Sequence, residues 1–233
     1  MKRREFVQVC AAAASGASIP AFPQGSTLAA RDYARTKLVD ERGEPLRIRN
    51  LAVGQNYVFD YPFAATPCFL LRLHEPATAE TQLRTETGFT YQWKGGVGPG
   101  RDVVAYSAIC AHKMTYPTKQ VSFIGYRDEV SPAAGKSHVI ACCSDRSIYD
   151  PAAGARVVSG PAPQPLATIL LEHDARADEL YAKGTFGGEM FHEFFRKYEF
   201  RLQMEMGPRA RNSVSGTTTV RLLDKYSMQW AKC

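Results

Sequence analysis

From residue 46 onward, short apolar runs alternate with turn-forming residues. The runs lie at 46–53, 68–73, 89–93, 103–109, 121–126 and 138–141, then at 168–172 and 179–182. Runs of four to eight residues at this spacing, with almost no helical period, predict an all-β chain: an antiparallel β sandwich or barrel. Between the runs, Ala65-Thr66-Pro67 and the glycine stretch 95–100 supply turn chemistry. No Lys-Ser/Thr follows the glycines and no helix pattern opens after them, so they read as a hairpin and not as a phosphate loop.

One segment breaks the pattern. Over 189–198 the apolar residues Met190, Phe191, Phe194 and Phe195 recur at helical spacing and predict a single amphipathic C-terminal helix. The residues beyond it are charged and polar, with a strand candidate at 217–223, and read as a tail. The organisation expected is therefore a leader at 1–21, a linker at 22–45, a β domain at 46–186, and a helix with its tail at 187–233.

Composition changes this picture little. The chain has 233 residues, 45% hydrophobic and 22% charged, which suits a soluble globular domain with a sizeable core. Its net charge is +6, of which Lys2, Arg3, Arg4 and Glu5 supply +2. The remainder is too small to point to nucleic acid. The start changes more: Lys2-Arg3-Arg4-Glu5-Phe6-Val7 is a twin-arginine pattern followed by an alanine-rich run to Ala21. This predicts export of a folded protein to the periplasm, with membrane association if the leader is kept.

Candidate chemistry gathers between residues 110 and 163. Cys110-Ala-His112 stands at the end of one apolar run. Cys142-Cys143-Ser144-Asp145-Arg146-Ser147-Ile148-Tyr149-Asp150 follows another, and Gly160-Pro161-Ala162-Pro163 comes after it. Two such fingers in a β fold resemble the Rieske iron–sulfur family, whose centre sets two thiolates on one iron and two imidazoles on the other. The resemblance implies a Rieske-type sandwich with an inserted cluster-binding part at 104–165 and a [2Fe-2S] cluster. It implies Cys110 and Cys142 as thiolate ligands and His112 as an imidazole ligand. Ser147 and Tyr149 stand where the family keeps hydroxyls bonded to the cluster sulfurs, and Pro161 belongs to the covering proline loop.

The sequence departs from the family at the fourth ligand, where Asp145 stands in place of a histidine. Two readings stay open: Asp145 completes the ligand set, or the fold persists as an interaction module with no cluster. A mononuclear zinc site of Cys110, His112, Cys142 and Asp145 is a third. The positions of the family's loop-to-loop disulfide hold Thr115 and Ser144, so that bond is not expected. A Cys68–Cys233 bridge is allowed by the cysteine count. His74, His173 and His192 read as surface or core residues, and His138 lies four positions before Cys142. With no catalytic constellation elsewhere, the resemblance implies an electron-transfer protein or subunit. Its partner would be a cytochrome, or a molybdenum-containing or quinol-oxidising complex.

Overall fold

In the computed structural model the described residues are 26–77, 80–132 and 135–233. The leader expected at 1–21 lies outside them. The apolar runs become strands β1 (Arg31–Val39), β2 (Tyr57–Asp60), β3 (Pro67–Arg72), β4 (Thr81–Arg84), β5 (Thr90–Trp93) and β6 (Val103–Ser107). There follow β7 (Val121–Ser122), β8 (Ile124–Arg127), β9 (Val139–Cys142), β10 (Ser147–Asp150) and β11 (Arg156–Ser159). The series closes with β12 (Thr168–Asp174), β13 (Glu179–Phe186), β14 (Gly216–Thr219), β15 (Arg221–Leu222) and β16 (Gln229–Trp230). The helices are α1 (Phe191–Lys197), α2 (Glu199–Met206) and the single turn α3 (Leu223–Tyr226).

Eight strands form one sheet in the order β14-β1-β13-β12-β6-β3-β2-β15. Its two edge strands, β14 and β15, are separated in sequence by the buried residue Val220 alone. The sheet is thus rolled until its edges nearly meet. Strand periodicity then sorts the core. Cys68 and Leu70 of β3 face inward with Leu38, Phe59, Ile169 and Leu180. Phe69 and Leu71, on the opposite face of the same strand, pack outward with Tyr106, Tyr126, Ile140 and Tyr149. That second layer joins the barrel to a four-stranded antiparallel sheet, β11-β10-β9-β8. Each large side chain fully buried here stabilises the fold by about 1.5–3 kcal/mol. Two polar pegs set the relative position of the layers. The Asn56 amide donates to the Tyr126 carbonyl at 2.8 Å and accepts its N–H at 2.6 Å. The Tyr106 hydroxyl donates to the Pro151 carbonyl at 2.7 Å.

The all-β expectation holds, with four differences of detail. Residues 46–53 do not form a strand. Leu46 and Ile48 are buried between exposed or half-exposed arginines, but the segment turns as a short 3-10 helix, Ile48–Asn50, and the strand is β2. Residues 31–39, assigned to a linker, form β1, whose first part alternates charges and is largely exposed. Instead of one helix there are two in succession, α1 and α2, with Phe191, Phe194 and Leu202 packed against Ile109, Met114 and Tyr116. Last, residues 187–233 are not an appendage: β14 and β15 complete the large sheet, and β16 pairs with β7 in parallel. Among the described residues no helix is long and apolar enough to cross a membrane.

Candidate metal centre

Two loops meet where the large sheet faces the small one. The first leaves β6, and the chain reverses over residues 110–115, where the Cys110 N–H donates to the Thr115 carbonyl and the Met114 N–H to the Cys110 carbonyl. The second is the tight β9–β10 connection. Cys142 and Ser147 are paired across it, the Arg146 N–H donates to the Cys142 carbonyl, and Arg146 takes φ +62° to close the turn. A third segment covers them: Gly160, at φ +91°, lies so close to the second loop that a Cβ there would come within 2.6 Å of the Ser147 Cα. Ala162 packs into the interlayer core, while Pro161 itself is exposed.

The loops bring Cys110, Cys142, His112 and Asp145 together. Both thiols are buried and free of disulfides, and one donor atom from each of Cys110, Cys142 and Asp145 lies within 4.8 Å of the others. Asp145 Oδ2 is 3.2 Å from the Cys110 sulfur and 3.1 Å from His112 Nδ1, and Oδ1 accepts the Ser147 N–H at 2.9 Å. Burial pushes the Asp145 carboxyl up. The Ser147 amide, with the two thiols, more than offsets this and leaves it below the usual carboxylate range. The Cys110 thiol is lowered, chiefly by a hydrogen bond from Cys142 acting against burial. Cys142 is raised by that same bond and by burial. The two thiols therefore ionise as a pair, the first loss of a proton made easier by the hydrogen bond between them and the second harder.

Around the sulfurs, the Tyr149 hydroxyl lies 3.2 Å from Cys110 Sγ and accepts the Ala111 N–H at 3.1 Å. Ser147 is wholly buried, yet among the described residues its hydroxyl oxygen has no hydrogen-bond partner. A buried hydroxyl without a partner is costly, and a serine placed beside two thiols suits an acceptor such as a metal-bound sulfide. The donor types fit an iron–sulfur group: two thiolates inside, with an imidazole and a carboxylate outside. The His112 side chain retains 36% exposure against 2% for Asp145, so the imidazole is the part of the site nearest solvent.

The sequence allows a Cys68–Cys233 bridge without requiring one, and the structure pairs the cysteines otherwise. Cys233 is bonded to Cys143, not to Cys68. Cys68 is a free, buried thiol in β3 whose S–H donates to the Tyr61 carbonyl. Two participants were not read from the sequence. The Cys143–Cys233 bond anchors the final segment beside Cys142, and the buried Arg127 holds that segment. Its guanidinium donates to the Ala231 carbonyl and lies 4.2 Å from the Trp230 ring centroid. The adjacent Cys142-Cys143 pair, only one of which can enter the motif, was the available signal for the disulfide.

No family model matches this sequence. Among curated proteins it is similar to the iodate reductase subunit IdrB of Denitromonas iodatirespirans. The two are 28% identical over 188 residues, covering 80% of this chain and 82% of that one. Among solved structures it is similar to the soluble domain of Rieske protein II (soxF) from Sulfolobus acidocaldarius. That likeness has 28% identity and a TM-score of 0.49, covering 66% of this chain and 78% of the other.

Proposed function

We propose that this Rieske-type chain is an electron-transfer subunit of an oxidoreductase and that its two loops hold a [2Fe-2S] cluster. Cys110 and Cys142 are the ligands of the inner iron, and His112 and Asp145 those of the outer. The observation that carries this reading is the meeting of those four side chains, with a buried Ser147 hydroxyl that has no hydrogen-bond partner among the described residues. When bound, such a group accepts and gives up one electron at a time.

The protein's own residues do the rest. The interlayer core keeps water from the thiols. Ser147 and Tyr149 would supply hydrogen bonds to the sulfurs of a bound group, which stabilise added negative charge. The covering loop with Gly160 and Pro161 holds the second finger in place. His112, the ligand nearest solvent, is the point at which a redox partner approaches. The similarity to a reductase subunit supports another subunit of a reductase as that partner, with a cytochrome or a quinol-oxidising complex as the other end of the relay. On this reading residues 1–21 are a twin-arginine leader, and the chain works in the periplasm, held to the membrane if the leader is retained.

Elemental analysis with low-temperature spectroscopy of the protein purified from an exporting host tests this. The reading requires about two irons and two sulfides per chain, and on reduction a paramagnetic signal with average g below the free-electron value. A single-metal reading also has an observation behind it, since three of the donors already lie within 4.8 Å of one another. About one zinc per chain without sulfide would establish that reading instead. An iron-free, zinc-free protein would leave the fold as an interaction module.

A further inference from the structure

A second cluster of metal-ligating side chains lies away from the two loops. His74 follows β3, Asp128 follows β8, and His138 precedes β9. His74 is distant in sequence from the other two, and all three meet at one end of the β8–β9 hairpin. His74 Nε2 is 2.6 Å from Asp128 Oδ1, and His138 Nε2 is 3.9 Å from the same oxygen. The two imidazoles are stacked, with centroids 4.6 Å apart and planes inclined by 22°. One donor atom from each of the three residues lies within 4.8 Å of the others.

The carboxylate is positioned from behind. Tyr126 Oη lies 3.4 Å from Asp128 Oδ1. Gly54 leaves the room the carboxylate takes, since a Cβ there would come within 2.6–2.8 Å of its atoms. His138 holds φ +57°, a region that a non-glycine residue seldom adopts.

We propose that His74, Asp128 and His138 form a binding site for a divalent transition-metal ion, separate from the two-loop centre. Ion pairing alone accounts poorly for the arrangement. One carboxylate cannot neutralise two stacked imidazolium rings, whose like charges repel. A single cation can take one nitrogen from each ring together with the carboxylate once the two exposed rings turn out of their stacked arrangement about their side-chain torsions. Two imidazoles and a carboxylate are a ligand set that zinc takes with water in its open position. Donors bound at about 2.0–2.1 Å in a tetrahedron stand about 3.3 Å apart, between the two separations found here. All three side chains are exposed, at 40%, 45% and 53%, so water can complete the coordination. A bound ion would tie the end of β3 to the β8–β9 hairpin, and so the barrel to the small sheet.

Titration of the full-length protein with zinc, followed calorimetrically, tests the proposal. The wild type is compared with the His74→Ala/His138→Ala pair and, separately, with Asp128→Asn. Because the side chains are exposed, the variants should fold, and circular dichroism checks that they do. The wild type should take up one equivalent more than the double-histidine variant, whatever the two-loop centre binds. Asp128→Asn should weaken that additional site by about tenfold or more. Zinc should also raise the melting temperature of the wild type more than that of the double variant. Equal zinc stoichiometry in wild type and double variant would overturn the proposal, as would an unchanged affinity in Asp128→Asn.

Discussion

Cys143 and Cys233 are joined by a disulfide across 90 residues, which fixes the neighbour of the Cys142 thiol to the final strand segment. The segment is held along its length as well. The Met228, Gln229 and Ala231 N–H groups donate to carbonyls of Lys119, Gln120 and Ser122, and the Ser131 hydroxyl donates to the Cys233 carbonyl. It is a strap across the outer side of the second loop. Cross-linking so long a loop restricts the unfolded chain by an amount worth about 2–4 kcal/mol. Cys233→Ser should lower stability to urea by that amount. Reductant should bring the wild type down to the variant's level and leave the variant itself unmoved.

The hydroxyls beside the thiols should separate stability from redox tuning. Ser147 Oγ is buried with no hydrogen-bond partner among the described residues, so Ser147→Ala should remove a desolvation cost and stabilise the metal-free protein by about 1 kcal/mol. In the loaded protein it should lower the midpoint potential. Tyr149→Phe removes the acceptor of the buried Ala111 N–H and should cost about 1–3 kcal/mol in the metal-free protein. Urea unfolding and voltammetry on the same preparations would compare the two.

Asp145 adds a negative charge where a histidine would be neutral. Asp145→His should therefore raise the midpoint potential of the loaded protein and make it more dependent on pH, because a second imidazole can then titrate. Voltammetry across pH 6–10 measures both. A midpoint that stays in place or falls would remove Asp145 from the ligand set.

Asp60, at the end of β2, is a carboxyl that burial raises to about 6, with the Tyr226 hydroxyl only partly opposing this. Its folded value lies above its unfolded one. The folded chain therefore holds the extra proton between about pH 4 and 6, and stability falls as pH rises through that window. Above it, the charged carboxylate costs about 3 kcal/mol. Asp60→Asn should be more stable than the wild type at pH 7, and the gap should close as pH falls to 4. A difference that does not vary with pH would show that Asp60 is not held in its neutral form.

Local order in the sequence explains what could be read from it. Cys110-Ala-His112 and the residues from Cys142 to Asp150 lie in short stretches beside strand ends, so their coming together was legible in local motifs. The barrel strands β3, β6, β12 and β13 carry the apolar runs that burial demands. β1 was missed because its first half alternates charges on a surface strand. The segment 46–53 misled because arginines alternate with buried Leu46 and Ile48 in a turn. The pairings Cys143–Cys233 and His74–Asp128 join residues far apart in sequence, and no local pattern encodes them. Only the folded topology brings them together.

Val220 carries the chain from one rim of the large sheet straight to the other, and the strands left at those rims are only four and two residues long. Neither rim offers a long row of unpaired amides to a foreign strand, which protects the protein from edge-to-edge aggregation. A second polypeptide is thereby turned away from backbone pairing at the barrel and toward side chains on the loop tips. On the proposed electron-transfer reading, recognition and electron exchange would share one small surface, around the imidazole of His112.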